Sequence, residues 1–261
     1  MSVALSVNLN KIALIRNSRE GNYPNVLAFA EQAIASGADG ITVHPRPDQR
    51  HIRASDVYEL AELVKPVKGV EFNVEGNPFA GARDDYPGFM KLVADTHPDQ
   101  CTLVPDGDNQ LTSDHGFDLK TSGTELEPII QTLKDQNMRV SLFMDPDQEQ
   151  IALAKDIGAD RIELYTGPYA ETFALANRQN SDHDSARLDA LFQRYFNASE
   201  YATSIGLGVN GGHDLNLENL ARFATAPGLL EVSIGHALTV DALEMGYTNA
   251  VRAYKAILQQ L

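Results

Sequence analysis

The chain has 261 residues, 43% of them hydrophobic and 22% charged, enough to bury a core as one large α/β domain or two small ones. Its formal net charge of −15 argues against nucleic acid or an anionic membrane as partner, because both are bound through clustered Lys and Arg. The single Cys101 excludes an intramolecular disulfide, no apolar stretch approaches the roughly 18 residues of a membrane span, and MSVALSVNLNK lacks the layout of a secretory signal, so a soluble cytoplasmic protein is expected.

Runs bounded by Gly, Pro, Asn or Asp predict strands at LSVNL (5–9), ITVH (41–44), GVEFNVE (69–75), CTLVP (101–105), RVSLFM (139–144), RIELY (161–165), GLGVN (206–210) and LLEVSI (229–234). Cys101, inside one of these runs, is expected to be a buried, inert thiol. Helical spacing separates the runs. VLAFAEQAIASGAD carries apolar residues three and four apart and stops at Gly37; DPDQEQIALAKDIGAD offers Asp145 or Asp147 as N-cap and stops at Gly158. The repeated GAD reads as a helix-to-strand turn. Eight β-then-α units, with strands taken as apolar on both faces, predict a single-domain (β/α)8 TIM barrel over 1–261 with extra helical segments. An open doubly wound sheet is the competitor, but NLNKIALIRNSR after the first run lacks the glycines of a nucleotide-binding turn. Two connections look long, GNPFAGARDDYPG (76–88) and TGPYAETFALANRQNSDHDSAR (166–187), and either one is placed to act as a lid.

The runs share an ending. The stretch GADGITVHPRPDQRH stops on His44, Arg46, Arg50 and His51, and the other runs stop on Glu75, Glu163 with Tyr165, His213 and His236. In a barrel the carboxyl ends of the strands converge on one face, which carries the active site. Asn8, Asn10 and Lys11 would join this ring from the first run. One such His or Glu is ordinarily a hydrogen-bonded structural residue; several in one mouth are mutually costly unless protons move among them. The tight His-x-His pair or Asp cluster of a strand-borne metal site is absent, so no metal is expected. Lys11 is a Schiff-base candidate whose side-chain direction is open, with a solvated or phosphate-attracting role as the simpler reading. NGGHD (210–214) and IGHA (234–237) offer Gly211, Gly212 and Gly235 where a phosphate would approach backbone N–H groups.

VNLNKIALIRNSR, GADGITVHPRPDQRHI, NVE, VSLFMD, IELYTGPYA, VNGGHDL and SIGHAL, in this order, closely resemble the pyridoxine 5'-phosphate synthases of de novo vitamin B6 synthesis, from about residue 5 to the C-terminus. The resemblance implies a TIM barrel that joins 3-amino-2-oxopropyl phosphate to 1-deoxy-D-xylulose 5-phosphate, closing a pyridine ring with loss of phosphate and water. It implies no metal or organic cofactor, and an octamer built from dimers. Carried over by position, His44 and Glu75 are proton acceptors, His213 a proton donor and Glu163 a transition-state stabiliser. Asn8, Arg19, Gly235 and His236 are ligands of the amino-ketone phosphate, with Gly212 in the same backbone nest. Arg46, His51 and Thr112 are ligands of the deoxyxylulose phosphate, with Asn10 and Lys11 beside them.

Such a condensation needs several acids and bases near neutrality and two anion sites. Arg46 and His51 suit the phosphate that departs, the glycine nest the one retained, and Arg50 reads as a structural or rim charge. The chain departs from the family's usual pattern where Asn10 and Lys11 replace Asp and His, and where Glu20 and Asp214 replace Gly. Asp214 is therefore expected to turn its carboxylate away to cap the next helix and to offer only its backbone N–H to a substrate. Two other readings stay open: a different sugar-phosphate or triose-phosphate lyase or isomerase barrel, and a non-catalytic phosphometabolite-binding barrel. Glu75, Glu163 and His213 together speak against the second, since a pure binder needs no set of proton carriers.

Overall fold

The computed structural model describes residues 3–107, 110–179 and 181–260. Its elements run β1 (Ala4–Asn8), α1 (Asn10–Asn17), α2 (Val26–Ala35), β2 (Gly40–Val43), α3 (Ala54–Val64), β3 (Glu71–Gly76), α4 (Phe89–Thr96) and β4 (Gln100–Leu103). They continue with α5 (Leu119–Asp135), β5 (Arg139–Met144), α6 (Gln148–Asp156), β6 (Arg161–Tyr165), α7 (Gly167–Gln179), α8 (Asp182–Ser204), β7 (Gly208–Gly212), α9 (Leu220–Phe223), β8 (Leu229–Ile234), α10 (His236–Met245) and α11 (Tyr247–Gln259). All neighbouring strands pair in parallel, and β1 closes on β8 through Leu5 opposite Val232, giving a closed eight-strand barrel. Among the described residues no helix is long and apolar enough to cross a membrane.

The strands are not apolar on both faces, as the sequence reading had them. Leu5, Val7, Ile41, Val43, Phe72, Val74, Cys101, Leu103, Val140, Leu142, Ile162 and Leu164 are buried in the outward layer against the helices. The residues between them are polar and fill the lumen. Ser6 Oγ meets Thr42 Oγ1 at 2.7 Å, Asn73 Nδ2 donates to Thr42 at 3.2 Å and Thr102 Oγ1 donates to Asn73 at 3.1 Å. Bonds between strands that are not neighbours must cross the interior: Asn210 on β7 donates to Gln100 on β4, and Ser233 on β8 to Glu75 on β3. The period-2 alternation of a strand thus separates an apolar wall from a hydrogen-bonded polar centre.

The GAD turns have a mechanism. Gly37 and Gly158 take φ of 105° and 92°, a region open to glycine, and end α2 and α6. The Asp that follows then ties down a neighbouring strand: Asp39 accepts from Leu5 N at 2.7 Å and Asp160 from Val140 N at 2.9 Å. Asp147 is the N-cap of α6, accepting from Glu149 N at 2.9 Å and Gln150 N at 3.2 Å.

Of the two long connections, 76–88 is irregular apart from one isolated bridge between Arg83 and Tyr86. The other is no loop. Residues 167–179 form α7 and Asp182 opens α8, with Ser181 Oγ accepting from Asp184 N at 3.1 Å as its cap. Tyr169 and Ala176, seven apart on α7, are buried, and the Tyr169 ring lies 5.4 Å from Phe223 and 6.1 Å from Tyr195. The polar stretch falls at the end of α7 and the start of α8.

Candidate active site

The carboxyl ends of the strands enclose a cavity of about 400 Å³. Asn8, Asn10, Lys11, His44, Arg46, His51, Glu75, Thr112, Glu163, His213, Asp214, Gly235 and His236 all line it, with Leu14, Phe143, Ser113 and Ser233 among the remaining wall residues. Arg19, Gly211 and Gly212, expected at the site, do not line it. Arg19 is exposed beyond α1, and Gly212 stands behind the wall. A Cβ on Gly212 would come within 2.0 Å of Glu163 Oε1, so this glycine makes room for the carboxyl of Glu163.

His44 leaves β2 with its N–H donated to Asn10 Oδ1 at 2.9 Å, and Asn10 N in turn donates to Asn8 Oδ1 at 2.9 Å. This amide chain holds three positions of the ring together without a charge, which is the use made of Asn10. Burial, reinforced by Arg46 and Arg50, lowers the His44 pKa to about 3, so the imidazole is neutral. Its Nδ1 is 4.0 Å from Glu75 Oε2 and its Nε2 is 3.9 Å from Asp106 Oδ2, neighbours that a neutral ring does not make into ion pairs.

His51 is likewise held neutral, its pKa lowered to about 3 by burial and then by His44, Arg46, Lys11 and Arg50. Its Nδ1 accepts from Ile52 N at 2.9 Å, which leaves Nε2 as the ring donor. Behind it the carbonyl of His51 is gripped by Arg16 at 3.0 Å and Asn17 at 2.8 Å, and Arg16, only 1% exposed, forms a bidentate pair with Asp56 at 2.5 and 2.9 Å.

Glu75 ends β3 with Ser233 Oγ at 3.4 Å and Asn8 Nδ2 at 3.5 Å. Burial, with Asp106 and Glu231 adding repulsion, pushes its pKa up to about 8. Glu163 is raised well above the carboxyl range by burial, then by Glu75 and Glu231, and its Oε2 is buried without a hydrogen-bond partner. Both groups hold their proton at neutrality.

His213 hangs between a rim hydroxyl and a carboxylate: Nε2 is 2.8 Å from Thr112 Oγ1, Nδ1 is 2.7 Å from Asp214 Oδ2, and the ring stands edge-on to Tyr165 at 5.2 Å. Asp214 does not cap the next helix. Its hydrogen bond to His213 holds its pKa below the usual range, and Asn219 is the residue before α9. His213 and Asp214 have φ of 86° and 59°, a left-handed turn in which a non-glycine residue carries strain, here fastened by Thr166 Oγ1 donating to the carbonyls of Gly212 and His213.

Anion-holding groups flank these proton carriers. Gly235 precedes α10, whose first-turn N–H groups open at the cavity, and a Cβ on Gly235 would press Asn8 at 3.0 Å. On the other side Arg46 pairs with Asp106 and donates to the Gln110 carbonyl at 3.3 Å, while Arg50 sits at the rim on Asp48 and on Gln110 O at 2.9 Å. Lys11 lines the cavity, which settles the direction left open by the sequence. The sequence reading missed Asp106 and Ser233. Asp106 follows the CTLV run as the other site residues follow theirs, and that ending was its signal.

Fold and cavity together define a (β/α)8-barrel enzyme of acid–base chemistry on small anionic substrates. Comparison with known proteins makes this specific. Residues 5–260 match the family described as pyridoxal phosphate biosynthesis protein PdxJ, and the chain belongs to that family. A pyridoxine 5'-phosphate synthase of Xanthomonas axonopodis pv. citri (strain 306) is 54% identical over 260 residues, covering 99% of this chain and 98% of the relative. One from Xylella fastidiosa (strain M23) is 50% identical, covering 98% and 95%. Among solved structures, the tryptophan synthase alpha subunit of Legionella pneumophila str. Paris superposes with a TM-score of 0.62 at 13% identity, over 99% of this chain and 94% of the other, a likeness of fold alone.

Proposed function

We propose that this chain catalyses the synthesis of pyridoxine 5'-phosphate from 3-amino-2-oxopropyl phosphate and 1-deoxy-D-xylulose 5-phosphate, releasing phosphate and water. Family membership over nearly the whole chain carries the reading. The convergence of His44, Glu75, Glu163 and His213 in one cavity supports it at the level of residues.

The amino-ketone phosphate is assigned to Asn8, Gly235 and His236 at the start of α10, where the helix dipole and free N–H groups favour an anion. Arg19, exposed beyond α1, lies outside this wall. The deoxyxylulose phosphate is assigned to Arg46, His51 and Thr112, with Asn10 and Lys11 at its other end. Burial is the main cause of the low His44 pKa, and a phosphate arriving there offsets the lesser contribution of Arg46 and Arg50, raising its basicity as substrate binds. Glu75, whose pKa of about 8 makes it a strong base for a carboxyl near operating pH, accepts a proton once ionised. His213 returns one to a departing oxygen, with Thr112 and Asp214 fixing its ring. Glu163, kept protonated, donates a hydrogen bond to the oxygen that gains charge. These steps use side chains of the chain itself, with no metal or organic cofactor assigned.

The same reading makes the protein a cytoplasmic homo-oligomer, an octamer built from dimers. Leu14 and Ile15 on α1 and Leu243 on α10, exposed at 42%, 45% and 79%, offer apolar surface for it. Incubating the purified chain with both substrates tests the function: pyridoxine 5'-phosphate is expected, and its absence with a folded protein overturns the reading. Product that disappears on chelation overturns the metal-free mechanism.

A further inference from the structure

The connection between β4 and α5 carries a carboxylate that the reaction above leaves without a role. Asp106 is 6% exposed. Its Oδ2 pairs with Arg46, accepts from Ser113 Oγ at 2.7 Å and faces His44 Nε2 at 3.9 Å; its Oδ1 is buried without a hydrogen-bond partner among the described residues. Its carbonyl accepts from Asn77 Nδ2 at 2.9 Å, tying the segment to the end of β3. His44 therefore has a carboxyl group beside each ring nitrogen, Asp106 at Nε2 and Glu75 at Nδ1.

We propose that Asp106 is a positioning residue of the reaction: it orients the Arg46 guanidinium at the sugar-phosphate subsite and fixes the His44 tautomer that carries its proton on Nε2, leaving Nδ1 as the proton acceptor. The inference rests on the function proposed above. A negative charge beside one nitrogen of a buried neutral imidazole favours the N–H on that side, because the dipole of the other tautomer points its lone pair at the carboxylate. A buried carboxylate is costly unless compensated. Arg46 and Ser113 satisfy Oδ2; the unpartnered Oδ1 remains as a cost that loop anchoring does not explain.

Asp106 also acts on Glu75. The charged or titratable groups around Glu75 are Asp106 and Arg46 on loops, Glu163 on β6, Glu231 on β8 and the neutral His44. Asp106 is the largest of the charges that raise its pKa. Removing the charge must move the Glu75 titration to lower pH.

Asp106→Asn separates positioning from anchoring, since an Asn oxygen still accepts from Arg46 and Ser113 while the charge is gone. In a variant that melts with the parent, kcat is expected to fall about 100-fold, a typical size for misdirected acid–base catalysis. The KM for deoxyxylulose phosphate should change less, the pH limb governed by Glu75 should shift downward, and Asp106→Glu should recover part of kcat. Unchanged kcat and pH profile in Asp106→Asn would reduce Asp106 to a loop anchor and overturn the proposal. Nitrogen NMR of the His44 ring gives a readout independent of activity and of the variant's folding: the parent is expected to carry the proton on Nε2, and a proton on Nδ1 overturns the proposal even if the parent is fully active. An inactive parent with Nε2–H would instead count against the proposed reaction alone.

Discussion

Glu75→Gln should stabilise the fold while disabling the enzyme, and the stabilisation should grow with pH. In the folded chain Glu75 holds its proton up to about pH 8 against an ordinary value of 4.5. Between those values the unfolded chain has released the proton and the folded chain has not, so the folded state loses stability as pH rises through the window. At about 1.4 kcal/mol per pH unit the full penalty approaches roughly 5 kcal/mol above pH 8, and is near zero below 4.5. Glutamine keeps an oxygen for Ser233 Oγ, now 3.4 Å from Glu75 Oε1, and removes the ionisation. Urea unfolding of parent and variant at one protein concentration, at steps from pH 5 to 8, should show a stability gap that widens towards a few kcal/mol. Turnover should fall at least about 100-fold, as for loss of a general base. A gap that stays flat or narrows with pH would refute the claim that Glu75 is a buried proton-holding group.

Three further predictions follow from packing. Gly212→Ala places a Cβ 2.0 Å from Glu163 Oε1, so kcat should drop while thermal unfolding shows a modest overpacking cost of about 1–3 kcal/mol. Asp56→Asn leaves Arg16, 1% exposed, without its counter-charge; urea unfolding should report a loss of about 3–5 kcal/mol, and a looser His51 should raise the KM for deoxyxylulose phosphate. Cys101 has no exposed surface and burial raises its thiol pKa, so modification by a thiol reagent should proceed only at the rate of unfolding and should speed up in urea.

The barrel was legible because strand-like runs alternate with helical segments, and because GAD, before β2 and β6, occurs where the chain needs a left-handed residue before a hydrogen-bonding one. The polar lumen was written in the same runs as alternation in VEFNVE, RVSLF and RIELY, but a run judged by its overall apolarity hides the face of each residue. Helix α7 was obscured by the polar sequence at its end, although Tyr169 and Ala176 kept the helical spacing. At the site, strand-end residues could be found one by one, since convergence in a barrel needs no knowledge of distances. What side chains do for one another was not legible. Asp214 reaches back to His213 where both residues adopt positive φ, and Gly212 makes room for the Glu163 carboxyl, facts set by backbone geometry and a neighbour 49 positions away.

The most direct test of the central claim follows pyridoxine 5'-phosphate and inorganic phosphate together in one time course, for the parent and for His44→Ala, after dialysis against a chelator. The account predicts equal amounts of both from the parent, appearing only when both substrates are present, and neither from a folded His44→Ala. Phosphate released from one substrate alone, or ring product formed by His44→Ala at the parental rate, would contradict it.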